Sequence, residues 1–258
     1  HGDETQPQRN LEVFSNCSTA AQRSLVFYLL LNGSGVGSSY DDAICNVDFR
    51  NMPKVVCTID PSHADVLSGK IVGFRSKAEV IEELWEVGLP YRTFNVPDSR
   101  EGWAYAIEEI ETMSWQGTYR DYTLIIDFSE VRPHGSPIGG MQDRPASGPG
   151  PLMEAIVRVA KVRDQADWKP WRQAMQIDHE LAECVLVGGA RRSARIAIKN
   201  WRDPDIMEFI NVKQDGGLWT ANNSVGVDDD FWSEGKEIMD AVLEAQYTHG
   251  TGEPGFLN

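Results

Sequence analysis

Thr123-Leu124-Ile125-Ile126-Asp127-Phe128 is the stretch that decides the fold. Its apolar residues follow one another without the alternation of a half-exposed strand, which is typical of a strand buried on both faces of a parallel α/β sheet. Further strands are predicted at 194–198 and 221–227, each followed by a helical segment. Because strand and helix alternate through the second half of the chain, the sequence predicts a parallel α/β sheet or barrel.

Helix boundaries carry recognisable signals. Residues 24–31 are apolar nearly all round and predict a buried helix. Ser76 is placed to cap a predicted helix over 77–87, and Gly88 ends it. Residues 98–101 predict the start of another helix. Further helices are predicted at 152–162, 172–187 and 203–212, and from 230 onward.

Three segments are expected to form turns or to be irregular. The glycines at 33, 35 and 37 predict a turn, either one whose bare N–H groups approach a phosphate or a plain turn. Residues 41–70 are expected to be irregular. The long loop over 129–151 is rich in glycine and proline, so it either contacts a ligand or is a surface excursion.

The composition limits the classes of protein. The chain has 258 residues, of which 41% are hydrophobic, which is enough for a sizeable core. Its formal net charge of −15 argues against a nucleic-acid-coating protein, although free nucleotides need only a few local cations. The longest apolar run, 25–31, is too short to span a bilayer. We therefore expect neither a nucleic acid nor a membrane as partner.

Four cysteines stand far apart in the sequence, at Cys17, Cys45, Cys57 and Cys184. No Cys-x-x-Cys pair occurs, so we predict no metal site and no secreted disulfide framework. Free thiols in the cytoplasm are the simpler expectation. Cys17 follows a predicted strand at 11–15 and, taken alone, is either a redox group or a buried apolar filler.

Nine segments in this order resemble the large catalytic subunit of ribonucleotide reductase, most closely the adenosylcobalamin-dependent (class II) enzymes. They are 16–17, 33–37, 97–103, 127–135, 146–152, 189–194, 213–215, 221–225 and 252–255. Each motif is weak by itself, whereas nine in one order are highly specific. The resemblance implies the first half of a ten-stranded α/β barrel of the ribonucleotide reductase and glycyl-radical type. It makes residues 1–258 a partial catalytic barrel domain.

The resemblance also implies roles for residues near the substrate. Cys17 is similar to the first of two reducing cysteines, which give electrons to the ribose and become a disulfide. The substrate-binding residues that it implies are Ser15, Asn16, Ser34 and Gly35.

Two loops are similar to the family's specificity loops, which bind an allosteric nucleotide and pass its identity to the substrate pocket. From the residues alone, Arg191 and Arg192 suit either triphosphate contacts or an exposed basic turn. The effector-binding residues that the resemblance implies are Arg132, Gly135 and Ser136 in the first loop and Gly188, Gly189, Arg191 and Arg192 in the second.

The implied activity is reduction of ribonucleoside di- or triphosphates to deoxyribonucleotides by thiyl-radical chemistry. It brings adenosylcobalamin as cofactor, a deoxynucleoside triphosphate as effector and a thioredoxin-like dithiol as reductant. The family's radical cysteine and second reducing cysteine match no segment here, so we expect a piece of a larger enzyme that is inactive alone. Two alternatives stay open: a metal-oxygen-dependent (class I) subunit, and a nucleotide-binding module without chemistry.

Overall fold

A computed structural model describes residues 17–138, 143–187 and 194–258, and for Cys17 the backbone alone. The strand predicted at 11–15 lies outside these residues. In chain order the strands are β1 (Cys17–Thr19), β2 (Gly35–Ser39), β3 (Lys54–Thr58), β4 (Tyr91–Asn95), β5 (Thr123–Asp127), β6 (Pro137–Ile138), β7 (Arg144–Pro145), β8 (Arg195–Asn200), β9 (Asn222–Gly226) and β10 (Gly255–Leu257).

Helices connect most of these strands. They are α1 (Arg23–Leu31), α2 (Ala64–Leu67), α3 (Lys77–Glu86), α4 (Arg100–Gln116), α5 (Gly150–Ala160), α6 (Pro170–Val187), α7 (Ile206–Ile210), α8 (Phe231–Glu234) and α9 (Lys236–His249). Short 3-10 turns cover Phe49–Asn51 and Lys161–Asp164. Within the described residues, no helix combines the length and the apolar character that crossing a bilayer requires.

The larger sheet has five strands in the order β1-β2-β8-β9-β10, and every neighbouring pair is parallel. Five parallel strands are half the number that the resemblance implies for the complete barrel. One face is buried under helices: Val36, Ala197 and Val225 are almost fully buried. The opposite face is more open, because Ile196 and Leu257 each keep 43% of their surface exposed.

The smaller sheet has three parallel strands in the order β3-β5-β4. Its central strand is the 123–128 stretch, and all five residues of β5 are buried as predicted. Residues of both sheets share one continuous hydrophobic core, in which Ile126 of β5 and Val36 of β2 are both members. The core therefore joins the two sheets into one packed body.

Most predicted helices are confirmed. Helix α3 begins at a capping box, in which Ser76 accepts from Glu79 N while the Glu79 carboxylate accepts from Ser76 N. The helix expected from 98–101 begins at Arg100 after the cap residue Ser99. The helices expected at 24–31, 152–162 and 172–187 form as α1, α5 and α6.

Residues 41–70 were wrongly expected to be irregular, since they hold β3 and α2. Strand β3 is specified by pairing with β5, nearly 70 residues later, from Lys54↔Thr123 to Thr58↔Asp127. Such a long-range contact leaves little local signal in a short apolar run. Strands β4 and β10 were missed for the same reason, since each is short and depends on a distant partner.

The turn predicted at 33–37 forms only at its start, and the prediction is wrong from Gly35 onward. Gly33 has a φ of 74° and forms the turn, but β2 begins at Gly35. Glycine weakens an isolated strand, and here hydrogen bonding to β1 on one side and β8 on the other holds it extended.

The last two predicted helices are shorter or divided. Helix α7 covers Ile206–Ile210 instead of 203–212. It begins late because the Asp203 carboxylate accepts from Asp205 N at 3.0 Å, which forms a local turn in place of the first helical residues. The helix from 230 onward is two helices that part at Gly235. A Cβ there would lie 2.2 Å from the Phe231 ring.

Candidate functional sites

The first candidate site lies at the N-terminal ends of β1 and β2. The two strands are parallel, and Cys17 is directly paired with Gly35. The Ser18 and Ser34 hydroxyl oxygens are 3.0 Å apart, so a hydrogen bond ties the two strand starts together. The fold thus brings together three of the residues predicted to serve the substrate, Cys17, Ser34 and Gly35. The predicted residues Ser15 and Asn16 lie outside the described residues.

The more open face of the five-stranded sheet runs on from this edge. Gly37 is two residues beyond Gly35 on the same face and is paired with the exposed Ile196. A Cβ on Gly37 would lie 3.8 Å from Ser18 O and from Thr19 Cγ2, which is ordinary van der Waals contact with β1. We name this edge, made of Cys17, Ser18, Ser34 and Gly35, the cysteine edge.

The second candidate site is a cavity of about 390 Å³ where the end of α1, the start of α4 and the loop after β5 meet. Its size is typical of a small-molecule site. We name it the loop pocket. It is lined by Leu30, Leu31, Asn32, Asp98, Ser99, Arg100, Glu101, Trp103, Val131, Arg132, Ile138, Ala146, Ser147, Gly148, Cys184 and Val185.

Arg132, a predicted effector-binding residue, lines the loop pocket and forms an ion pair with Asp98. Its Nε donates to both oxygens of Asp98 at 2.8 and 3.0 Å, and its Nη1 donates to Pro137 O at 3.2 Å. Both charged side chains keep about a third of their surface exposed. Such a pair contributes only about 0–1 kcal/mol, so a better anionic ligand can displace the carboxylate from Arg132.

The start of α4 forms another wall of the loop pocket. Ser99 Oγ accepts from Gly102 N at 2.9 Å and caps this 17-residue helix. Gly102 packs tightly on the preceding turn, since a Cβ there would lie 2.2 Å from Pro97 O. Only glycine therefore lets the first turn of α4 approach the turn before it.

The loop after β5 is anchored from α2. The His63 ring hydrogen-bonds Val131 O through Nε2 at 2.8 Å. The buried Asp65 carboxylate accepts from His134 N at 2.9 and 3.1 Å. Lys70 Nζ lies 2.5 Å from His134 Nδ1, which adds a cation beside the loop. None of these anchors was predicted from the sequence, because each joins residues more than 60 positions apart.

The other predicted residues of the first loop form a small hairpin. Gly135 has a φ of 86° and donates to Ala146 O at 2.9 Å. Ser136 O accepts from Ala146 N at 2.7 Å. These contacts hold the loop over the pocket, yet Gly135 and Ser136 are not among its lining residues. The predicted second-loop residues Gly188, Gly189, Arg191 and Arg192 lie outside the described residues.

Cys45, Cys57 and Cys184 are buried free thiols. Burial raises the pKa of Cys45 to about 11 and the pKa values of Cys57 and Cys184 to about 12. Their thiols therefore stay protonated and poorly nucleophilic at neutral pH. Cys184 lies within α6, as the sequence predicts, and is a poor substitute for a redox cysteine.

Three carboxylates, from Asp42, Asp203 and Asp205, lie within 4.8 Å of one another. Lysines already compensate them: Lys199 pairs with Asp42 and Asp203, and Lys169 pairs with Asp205. We assign no ion to this cluster.

Known proteins share this arrangement of segments. The family model described as the insertion domain of B12-dependent ribonucleotide reductase matches residues 55–163. This range includes the smaller sheet and the loop after β5 that lines the loop pocket. A putative adenosylcobalamin-dependent ribonucleoside-triphosphate reductase of Mycobacterium phage D29 is 32% identical over 238 residues, which cover 84% of this chain and 32% of that protein. An adenosylcobalamin-dependent ribonucleoside-triphosphate reductase of Lactobacillus acidophilus is 31% identical, with 91% of this chain and 32% of the relative covered.

A solved structure agrees with the sequence matches. The crystal structure of a B12-dependent (class II) ribonucleotide reductase is similar with a TM-score of 0.71 and 28% identity, over 92% of this chain and 32% of that one. The chain belongs to the adenosylcobalamin-dependent ribonucleotide reductase family. It spans about a third of the length of these reductases. The expected α/β fold of this family is confirmed, and the class I alternative is not favoured.

Proposed function

We propose that the chain provides two working parts of an adenosylcobalamin-dependent ribonucleotide reductase. The loop pocket binds an allosteric deoxynucleoside triphosphate, and the cysteine edge presents Cys17 to the ribose of the substrate. The names of the relatives favour ribonucleoside triphosphates over diphosphates as substrates. The complete enzyme then makes DNA precursors in the cytoplasm. In this proposal residues 1–258 belong to its barrel domain, and the core shared by the two sheets within the described residues supports that assignment.

The observation that carries the effector proposal is the position of Arg132 at the loop pocket. Its guanidinium pairs with the partly exposed carboxylate of Asp98 and can exchange that partner for phosphate oxygens. The planar, five-donor guanidinium is suited to phosphate. The indole of Trp103 and the apolar side chains of Leu30 and Val131 line the same cavity and suit a nucleobase. The Asp98 carboxylate, released from Arg132, can accept from a sugar hydroxyl.

The cysteine edge supplies reducing equivalents in this proposal. Cys17 and a second thiol together give two electrons and two protons to the sugar. The 2'-hydroxyl leaves as water, a hydrogen takes its place on carbon, and the two thiols become a disulfide. An external dithiol of the thioredoxin type then reduces that disulfide by thiol exchange. Gly35 and Gly37 carry no side chain on the more open face of the sheet, which supports the approach of a sugar to these strands.

Adenosylcobalamin enters this proposal through the relatives alone. Its corrin ring and nucleotide loop are larger than the loop pocket or the cleft of about 350 Å³ beside α1, so neither fits the cofactor. No described residue is assigned to it.

Nucleotide binding by Arg132→Met tests the effector pocket. We expect the affinity for the preferred deoxynucleoside triphosphate to fall about tenfold, because a partly exposed charged hydrogen bond to phosphate is lost. Equilibrium dialysis with dATP, dGTP, dCTP and dTTP measures the four dissociation constants.

Arg202→Met is the matched control, because Arg202 is a similarly exposed arginine whose carboxylate partners, Asp228 and Asp230, are remote in sequence from the pocket. It removes the same charge and should leave affinity unchanged. Equal losses in the two variants would mean that net charge, not the pocket, sets affinity. A native chain that binds none of the four nucleotides would overturn the effector role.

The alternative of a nucleotide-binding module without chemistry is not favoured, because the relatives are named as reductases. It predicts the same dialysis result but no role for Cys17 in turnover. The two candidates therefore separate at the cysteine edge.

A further inference from the structure

Asn32 stands between the loop pocket and the cysteine edge. It lines the pocket, and it is two residues before Ser34, whose hydroxyl bonds Ser18 beside Cys17. The shortest covalent link between the two candidate sites is therefore a tripeptide. Nothing in the assigned roles of the specificity loops involves this segment.

The Asn32 side chain joins two helices. Its Oδ1 accepts from Arg100 Nη1 at 2.9 Å, and Arg100 is the first residue of α4. Its Nδ2 donates to Tyr28 O at 2.8 Å, one turn back in α1. One amide thus connects the wall of the pocket that carries Arg100 with the end of the helix that precedes β2.

The turn after Asn32 is tightly hydrogen-bonded. Gly33 N donates to Leu30 O at 2.8 Å and Ser34 N donates to Leu29 O at 3.0 Å, with Gly33 in the left-handed region. This double closure fixes Ser34 relative to the last turn of α1. A displacement of Asn32 is therefore passed to Ser34 and, through its hydroxyl, to the start of β1.

We propose that Asn32 is a positioning residue that transmits nucleotide binding from the loop pocket to the cysteine edge. This inference rests on the proposed function of the two sites. Phosphate oxygens of a bound deoxynucleoside triphosphate compete with Asn32 for Arg100, so the end of α1 has one arrangement with Arg100 bound and another without it. A ligand that favours one of two arrangements shifts their populations. Proximity alone does not demonstrate coupling, so the test must measure coupling itself.

Hydrogen exchange of the Gly33 and Ser34 amides provides that measurement. The native chain and Asn32→Leu are compared with and without saturating nucleotide, using whichever of dATP, dGTP, dCTP and dTTP binds most tightly. Saturation removes any difference in affinity between the variants. In the native chain we expect nucleotide to change these exchange rates by about fivefold or more, which is the lower end of typical allosteric couplings. In Asn32→Leu we expect no change although nucleotide still binds.

Asn211→Leu is the matched control. Asn211 also ends a helix, α7, and its Nδ2 also donates to the carbonyl four residues back, Met207 O, at 3.0 Å. This variant should keep the full response at Gly33 and Ser34. Asn32→Asp keeps an acceptor for Arg100 and should retain most of the response, which separates the Arg100 contact from a general weakening of the helix end.

The possible results separate the two proposals. Failure of all four nucleotides to bind the native chain overturns the pocket and the coupling together. Binding without any change at Gly33 and Ser34 overturns the coupling alone. The same response in Asn32→Leu as in the native chain also overturns the role of Asn32.

Discussion

Cys17 differs from the other three cysteines in where the fold puts it. Cys45, Cys57 and Cys184 are buried in the core. The backbone of Cys17 instead begins β1, the edge strand of the larger sheet, where it is paired with Gly35. A redox thiol needs access to substrate and to a reductant.

Alkylation should spare the three buried thiols in the native chain. With pKa values of about 11 to 12, they are thiolates to about one part in a thousand or less at pH 8, whereas an ordinary cysteine is ionised to about a quarter. Their reaction with iodoacetamide should accelerate as pH rises towards 11. Peptide mass spectrometry at increasing pH checks this, with urea-unfolded chain as the control in which all four react. Rapid native labelling of Cys184 at pH 8 would contradict it.

Replacement of Cys17 by serine separates a redox group from a core filler. In the complete reductase, Cys17→Ser should abolish dithiol-coupled deoxynucleotide formation and shift the urea unfolding midpoint little. Cys184→Ser, which puts a hydroxyl into the core, should instead lower the free energy of unfolding by about 1–3 kcal/mol. Turnover assays and urea titrations of both variants give the answer. Full activity of Cys17→Ser would remove Cys17 from the mechanism.

At the scale of helices, Glu111 of α4 caps the N-terminus of another helix, α1. Its carboxylate accepts from Arg23 N at 3.0 Å and Ser24 N at 3.3 Å, at the start of α1, where Gln22 supplies no side-chain cap. Burial raises the pKa of Glu111, although the hydrogen bonds from the α1 backbone oppose the shift. The folded chain thus holds this proton more tightly than the unfolded chain.

The stability of the chain should therefore depend on pH through Glu111. The contribution of this group is complete below the ordinary carboxyl pKa and is lost as pH rises through the raised value. Glu111→Gln should reduce this fall, which urea midpoints between about pH 4 and pH 7 can measure. Glu108→Gln, an exposed position on the same helix, is the control. An unchanged pH profile in Glu111→Gln would assign the dependence to other groups.

Elements with local signals could be predicted, and those with distant partners could not. Helix α3 has its start in Ser76 and its stop at Gly88, all within its own sequence. Strand β4 is mostly exposed and obtains its hydrogen bonds from β5, about 30 residues later. The same distinction applies to the sites. Resemblance predicted Arg132 and Cys17 individually, but the Asp98–Arg132 pair and the Arg100–Asn32 contact exist only through tertiary packing.

At the scale of the whole molecule, five parallel strands present one more open face with Cys17 at its edge. We predict that these 258 residues form no deoxynucleotide when given adenosylcobalamin, a dithiol and a ribonucleoside triphosphate. The reason is that the three other cysteines are buried and protonated, so Cys17 has no redox partner among the described thiols. Chromatography of the products checks this, with a complete class II reductase as positive control. Measurable turnover would refute it.

Gly102 offers a test of the proposed effector pocket that leaves every residue lining the pocket unchanged. It is flanked by Glu101 and Trp103, which line the cavity, but it points instead at Pro97. A single added methyl group at this position would clash with Pro97, displace the first turn of α4 and so change the shape of the cavity. We therefore expect Gly102→Ala to weaken nucleotide binding at the proposed effector pocket although every side chain that lines the pocket is unchanged, so this variant separates the shape of the pocket from the chemistry of its lining.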